Sequence, residues 1–136
     1  MPTITRFEDI EAWKTARELT RMIYALTEQG KFAKDFGLKN QIQRASVSVM
    51  SNIAEGFESR TQAQFLEYLG RSKASSGEVR CQLYIALDLD YLTEEHFKKA
   101  FDLADKSSRQ IARFMGYLES HPQSRRVNEE VEEYEI

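Results

Sequence analysis

A chain of 136 residues that is 41% hydrophobic and 30% charged suits one soluble domain with a real core and is too short for two. Six glycines and two prolines leave few tight turns and favour long helices over a β-sandwich, and no apolar run nears the ~20 residues of a membrane span. The net charge of -3 excludes a whole-molecule basic signal. The stretch from Pro122 to Ile136 sets two basic residues against five acidic ones. The body, with the remaining 17 of 19 basic and 17 of 22 acidic residues, is therefore neutral.

Residues 1–7 read as an extended lead-in, with no signal-peptide core, so a cytoplasmic location is expected. Asp9 is the expected cap of a first helix from about Ile10 to Glu28 or Gln29. Ala12, Ala16, Leu19, Ile23 and Leu26 keep a 4-3-4-3 spacing along it, which is one helical face. Trp13 and Tyr24 lie on a neighbouring face. Gly30 ends the helix. The connection KFAKDFG follows, with Phe32 and Phe36 expected to cover one end of the core.

The second helix starts near Leu38 and carries RASVSVMSNIAEGF, the stretch around which the chain is organised. Ile42, Ser46, Val49, Ile53 and Gly56 form one stripe at 4-3-4-3 spacing. Val47, Met50, Ala54 and Phe57 form a second, adjoining one. A helix on one side of a small bundle needs only one stripe, so the second is expected against another helix or a partner chain. Gly56 is a stop or a close-approach point.

Thr61 is the expected cap of the third helix, with Gln64 completing a capping box. Phe65, Leu69, Ser72, Ser76, Val79, Leu83 and Ala86 run through it in phase. Its middle, RSKASSGE, is rich in small residues. The unbroken phase across Gly77 predicts a continuous helix with a close neighbour. Cys81, the one cysteine, excludes an intrachain disulfide and reads as a small core residue. Thr93 caps the fourth helix, with Glu94 and Glu95 in its first turn. Phe97, Phe101, Ala104, Ser108, Ile111, Met115 and Leu118 line that helix to His121-Pro122. Four helices joined by short connections predict an all-α fold, an antiparallel up-down-up-down four-helix bundle over residues 1–121. Residues 122–136 are expected to be an acidic, disordered tail.

Trp13, the run from Gln41 through RASVSVMSNIAEGF, the Ser-Gly-Glu centre and LYIALDLDYL together carry a family resemblance. The most specific part is Arg44-Ala45-Ser46-Val47-Ser48 followed by Asn52-Ile53-Ala54-Glu55-Gly56. From about Phe7 to Glu119 the chain resembles the bacterial four-helix bundle proteins also called 23S rRNA intervening-sequence proteins. The resemblance implies a homopentamer around a central channel. It also implies kinship with the accessory variability determinant proteins of diversity-generating retroelements, which bind a reverse transcriptase and contact nucleic acid. Those proteins are strongly basic and this chain is acidic, which sets it apart from them. Family members are encoded in inserts within large-subunit rRNA genes, which does not itself imply a ribosomal function.

Arg44, Asn52 and Glu55 are the polar members of the motif, and Glu78 sits in the small-residue centre of the third helix. They read either as a cluster contacting RNA or a partner, or as a paired network fixing helix register or subunit geometry together with Val47 and Met50. Arg60, Arg71, Lys73 and Arg80 on the third helix, with Lys98, Lys99, Lys106, Arg109 and Arg113 on the fourth, are candidate nucleic-acid contacts or an ordinary solvated face. In a ring, modest patches would become multivalent. Trp13 and Tyr24 offer rings for base stacking but read more simply as core or interface residues.

No metal, cofactor or catalytic site is expected. A bundle di-metal site needs Glu-x-x-His, yet Thr93 stands three before His96 and Leu118 three before His121. No phosphate-binding glycine loop occurs. The expected role is a non-enzymatic, homo-oligomeric scaffold that binds RNA or a nucleic-acid enzyme. The alternative is a protein-interaction module with no nucleic-acid affinity. An enzyme using Glu55 and Glu78 is a remote third.

Overall fold

The computed structural model describes residues 4–122, and the tail expected to be acidic and disordered lies, from residue 123 on, outside them. Among the described residues the chain is all-helical. A 3₁₀ turn, Phe7–Asp9, precedes α1 (Glu11–Thr27), α2 (Gly30–Lys34), α3 (Phe36–Glu58), α4 (Gln62–Asp88) and α5 (Glu94–Ser120). The four long helices α1, α3, α4 and α5 are the four that the periodicity predicts. The short α2 lies within a connection read as irregular. Gly30 at φ +53 turns the chain there, and Phe32, fully buried, anchors the single turn that follows.

Packing is pairwise. α1 lies against α3 and α5, and α4 lies against the same two helices. Between α1 and α3, Thr20 donates to the Ser46 carbonyl, Gln43 donates to Thr27 and Lys39 pairs with Glu28, so the contacts move up one helix as they move down the other. Gly56 against Phe65 and Ser72 against the Val49 carbonyl give α3 and α4 the same opposed sense. Gln62 donates to the Leu118 carbonyl and Arg80 pairs with Asp105, which does so for α4 and α5.

The predicted stripes form the core. All five apolar residues of the α1 stripe are buried, as are Ile42, Ser46, Val49, Ile53 and Gly56 of α3 and the whole α4 stripe. In α5 the stripe is buried at Ala104, Ser108, Ile111 and Leu118, while Phe97, Phe101 and Met115 are half-buried against it. Helix α4 is continuous through Gly77. The Thr61–Gln64 capping box and the Thr93 cap are both present.

Several local expectations need correction. Asp9 does not cap α1. It belongs to the 3₁₀ turn beside Arg6, and the N-cap is Ile10, whose side chain is drawn into the core and makes no cap bond. Helix α3 starts two residues early because Asp35 accepts from the Leu38 amide. Phe36 does not cover the core, being 70% exposed about half a turn out of the buried phase set by Leu38 and Ile42. Cys81 is exposed, since it falls between Val79 and Leu83 on the side of α4 turned away from the core. Tyr24 is 42% exposed and not a core residue, whereas Trp13 is half-buried against Phe7.

The connection between α4 and α5 is tied to the N-cap of α3. The Tyr91 hydroxyl donates to Asp35 at 2.9 Å, and its ring stacks on Phe32 at 5.3 Å. The hydrogen bond to Asp35, reinforced by burial and by the carboxylate charge, raises the Tyr91 hydroxyl above the ordinary tyrosine value of 10.0. A raised folded value means that the contribution is complete below the unfolded value and is lost as pH climbs through the folded one. Tyr91→Phe should therefore lower Tm at neutral pH and remove part of the alkaline destabilisation expected above pH ~10. Thermal melts of both proteins from pH 7 to 11 check this, and parallel Tm–pH curves would contradict it.

Candidate functional site

The motif residues converge on the outer side of α3 and its groove with α4. With the core stripe of α3 turned inward, Arg44, Val47, Ser51 and Glu55 recur at 3-4-4 spacing on the side facing away from it. Val47 is 39% exposed, and Met50, Ser51, Ala54 and Phe57 are half-buried. The second apolar stripe is thus only partly covered within one chain. Met50 and Phe57 lean on the core, while Val47 stands open.

Arg44 and Glu55 are both exposed, at opposite ends of this face. Eleven residues at 1.5 Å per residue separate them by about 16 Å, too far for the pairing considered from the sequence. Neither makes an ion pair among the described residues. Glu78 is likewise exposed, and accepts a 3.0 Å bond from Gln82.

Asn52 is held rigidly. Its amide donates to the Ser48 carbonyl at 2.9 Å and to the Ser48 hydroxyl at 2.8 Å. Across the groove, Ser75 donates to the same hydroxyl at 2.9 Å. This hydroxyl-centred bridge joins the two motif segments. Arg44 lies one turn from Ser48 and Glu78 one turn from Ser75, in the same direction along the groove, while Asn52 lies one turn from Ser48 in the other direction. The roles of Ser48 and Ser75 were not read from the sequence. Small polar residues beside the predicted stripes were the available signal, but only the register between helices turns it into a contact.

The candidate basic residues divide differently. Arg71 pairs with Glu67 at 2.7 Å and lies over the Tyr68 ring, and Lys99 pairs with Glu95. Arg80 and Arg109 share Asp105 at 3.6 and 3.0 Å. Arg60, Lys73, Lys98, Lys106 and Arg113 are exposed without a carboxylate partner among the described residues. The set is therefore spread along α4 and α5 and partly neutralised, not gathered in one groove.

Among the described residues, no group of three His, Cys, Asp or Glu side chains is placed to hold a metal ion, and no helix is long and apolar enough to cross a membrane. Cys81 and the exposed His96 and His121 belong to separate segments of α4, α5 and the chain beyond it.

A solved structure of a protein of unknown function from the S23 ribosomal protein family of Bacteroides thetaiotaomicron is similar in fold, with a TM-score of 0.71. It shares 18% identity over 77% of this chain and 95% of that one, so the likeness is one of fold. A search of the curated proteins finds no match. The family model described as 23S rRNA-intervening sequence protein matches residues 8–113, which contain the motif of α3, the bridge to α4 and most of α5, and the chain belongs to that family.

Proposed function

We propose that this protein is a non-enzymatic, homo-oligomeric scaffold. Its four long helices form an antiparallel up-down-up-down bundle, and its copies close into a ring, a pentamer by the family resemblance. The observation that carries this reading is the outward face of α3. There Val47 and its half-buried apolar neighbours are left open between Arg44 and Glu55, charges with no ion-pair partner among the described residues. A closed ring of five needs a heterologous interface, which joins two different patches. The second patch in this reading is the outward side of α4. Gly70 has nothing near its Cβ position, Ala74 is exposed, and the chain itself gives no packing reason for small residues there.

The assembled ring serves as an accessory that binds RNA or a nucleic-acid enzyme. Ring symmetry repeats each basic residue, so weak phosphate contacts add. A scaffold for proteins alone is the second reading, and the pairing of Arg71, Arg80, Lys99 and Arg109 with carboxylates favours it.

Two measurements test the proposal. The native mass of the purified protein should correspond to five copies of the 15.8 kDa chain. A monomeric mass at micromolar concentration would refute the assembly. Titration with structured RNA at several salt concentrations should give binding that weakens steeply with salt. No binding at low salt would leave the protein-scaffold reading.

A further inference from the structure

On α1, two cations without a carboxylate partner among the described residues, Arg17 and Arg21, lie on one face with an aromatic ring, Trp13. Arg6, Glu8, Trp13, Lys14, Arg17, Glu18 and Arg21 line an open cleft of about 440 Å³. That volume falls within the roughly 300–1,000 Å³ of ordinary small-ligand sites. Four cations and two carboxylates give the lining a charge of +2, in a chain whose net charge is -3.

The pairing within the cleft is uneven. Arg6 is held by Glu8 at 3.2 Å and approached by Asp9 at 3.8 Å, and Lys14 is held by Glu11 at 3.2 Å. Arg17 and Arg21 are exposed and have no carboxylate partner among the described residues. Trp13, Arg17 and Arg21 follow one another at four-residue spacing, so ring and guanidinium groups share a helix face. The Trp13 ring is braced edge-on by Phe7, with centroids 5.2 Å apart, and the Arg17 guanidinium lies over it at 5.8 Å. A base sandwiched between the two needs about 7 Å, twice a contact distance of ~3.5 Å. An outward swing of the exposed Arg17 by about 1 Å provides it.

The geometry points to this cleft as a binding site for single-stranded RNA, with a base stacked on Trp13 and the flanking phosphates held by Arg17 and Arg21. A braced aromatic ring beside a cationic track is how single strands are held without sequence readout. A duplex hides its base faces and does not fit the Trp13 platform. This inference rests on the RNA-accessory reading above and gives it a location.

Trp13 is the one tryptophan of the chain, so its fluorescence reports on the cleft alone. The intact protein is titrated with an eight-nucleotide oligoadenylate, following Trp13 emission and, in parallel, the anisotropy of the same RNA carrying a terminal dye. The expected result is quenching that tracks the anisotropy. In the Arg17→Glu/Arg21→Glu double variant, affinity should fall at least about tenfold, and the log–log salt slope should shrink by about 1.4, or ~0.7 for each lost phosphate contact. Both residues are exposed, so the variant should fold, which circular dichroism checks. RNA that binds without changing Trp13 emission, and equally well to the double variant, overturns this site but leaves the RNA-accessory reading standing. Absence of RNA binding by the unmodified protein at low salt overturns both.

Discussion

Val47→Asp should dissolve the assembly and leave the protomer folded. In one chain Val47 is 39% exposed, so the new carboxylate reaches water. Asp and Val have similar helix propensities, and the protomer should lose no more than about 1 kcal/mol. In the proposed ring the same position is covered by a neighbouring copy. An unpaired carboxylate buried there costs several kcal/mol, and each 1.4 kcal/mol is tenfold in association. A loss of ~3 kcal/mol at each contact weakens it more than a hundredfold, enough to convert a micromolar ring to monomer. Sedimentation velocity and circular dichroism on one sample read both halves of this expectation. Unchanged mass would remove the outward face of α3 from the interface. Met50→Asp is a less clean test, because Met50 leans on the core and the charge would damage the fold as well. Ala74→Glu puts the same test to the outward side of α4, where the residue is exposed in the protomer.

How far the sequence foretold this structure depended on length and register. Seventeen to 27 residues of sustained 3.6-residue period identify a helix and its buried face, because one apolar stripe suffices to define the phase. Thus even Ser46, Ser72 and Ser76, polar by type, were placed inward correctly by position. Helix α2, at five residues, is too short to show a period. Cys81 was misread for the opposite reason. The segment around it is apolar on several sides, and Cys81 was read as core by residue type, although the stripe through Val79, Leu83 and Ala86 already leaves it and Ile85 off the buried face. The site shows the same division. Arg44 and Glu55 on one face follow from spacing within a single helix. Ser48 and Ser75, which set the register of Glu78 against α3, meet in a contact between helices that no spacing along the chain contains. Arg17 and Arg21 were legible at four-residue spacing from Trp13. They passed unremarked because that ring was read as core or interface.

Gly56→Val should be among the most damaging single changes in the chain. Gly56 belongs to the family motif and could be read as a helix stop, yet α3 continues to Glu58. Its importance lies in the approach of α4. A Cβ at this position would stand 2.8 Å from the Phe65 ring and 2.9 Å from the Tyr68 Cβ, closer than carbon atoms tolerate. Neither neighbour yields easily. Phe65 is buried and meets Phe57 and Phe114 edge-to-face, and the Tyr68 Cβ is fixed by the α4 backbone. Relief requires the two helices to move apart, beside the Phe65 contacts and the Ser72 bond to the Val49 carbonyl. Valine adds two methyl groups beyond that Cβ, which puts the cost near the upper end of overpacking, about 3 kcal/mol. At ~3–5 °C per kcal/mol for a domain of this size, Tm should fall by roughly 9–15 °C. Gly116→Ala is the matched control. Gly116 is exposed within α5 with nothing near its Cβ position, so alanine should stabilise by up to ~1 kcal/mol through helix propensity alone. Opposite signs at the two glycines would locate the constraint in the contact between α3 and α4. A Gly56→Val protein as stable as the parent would mean that the close approach of those helices is not what the glycine in the motif maintains.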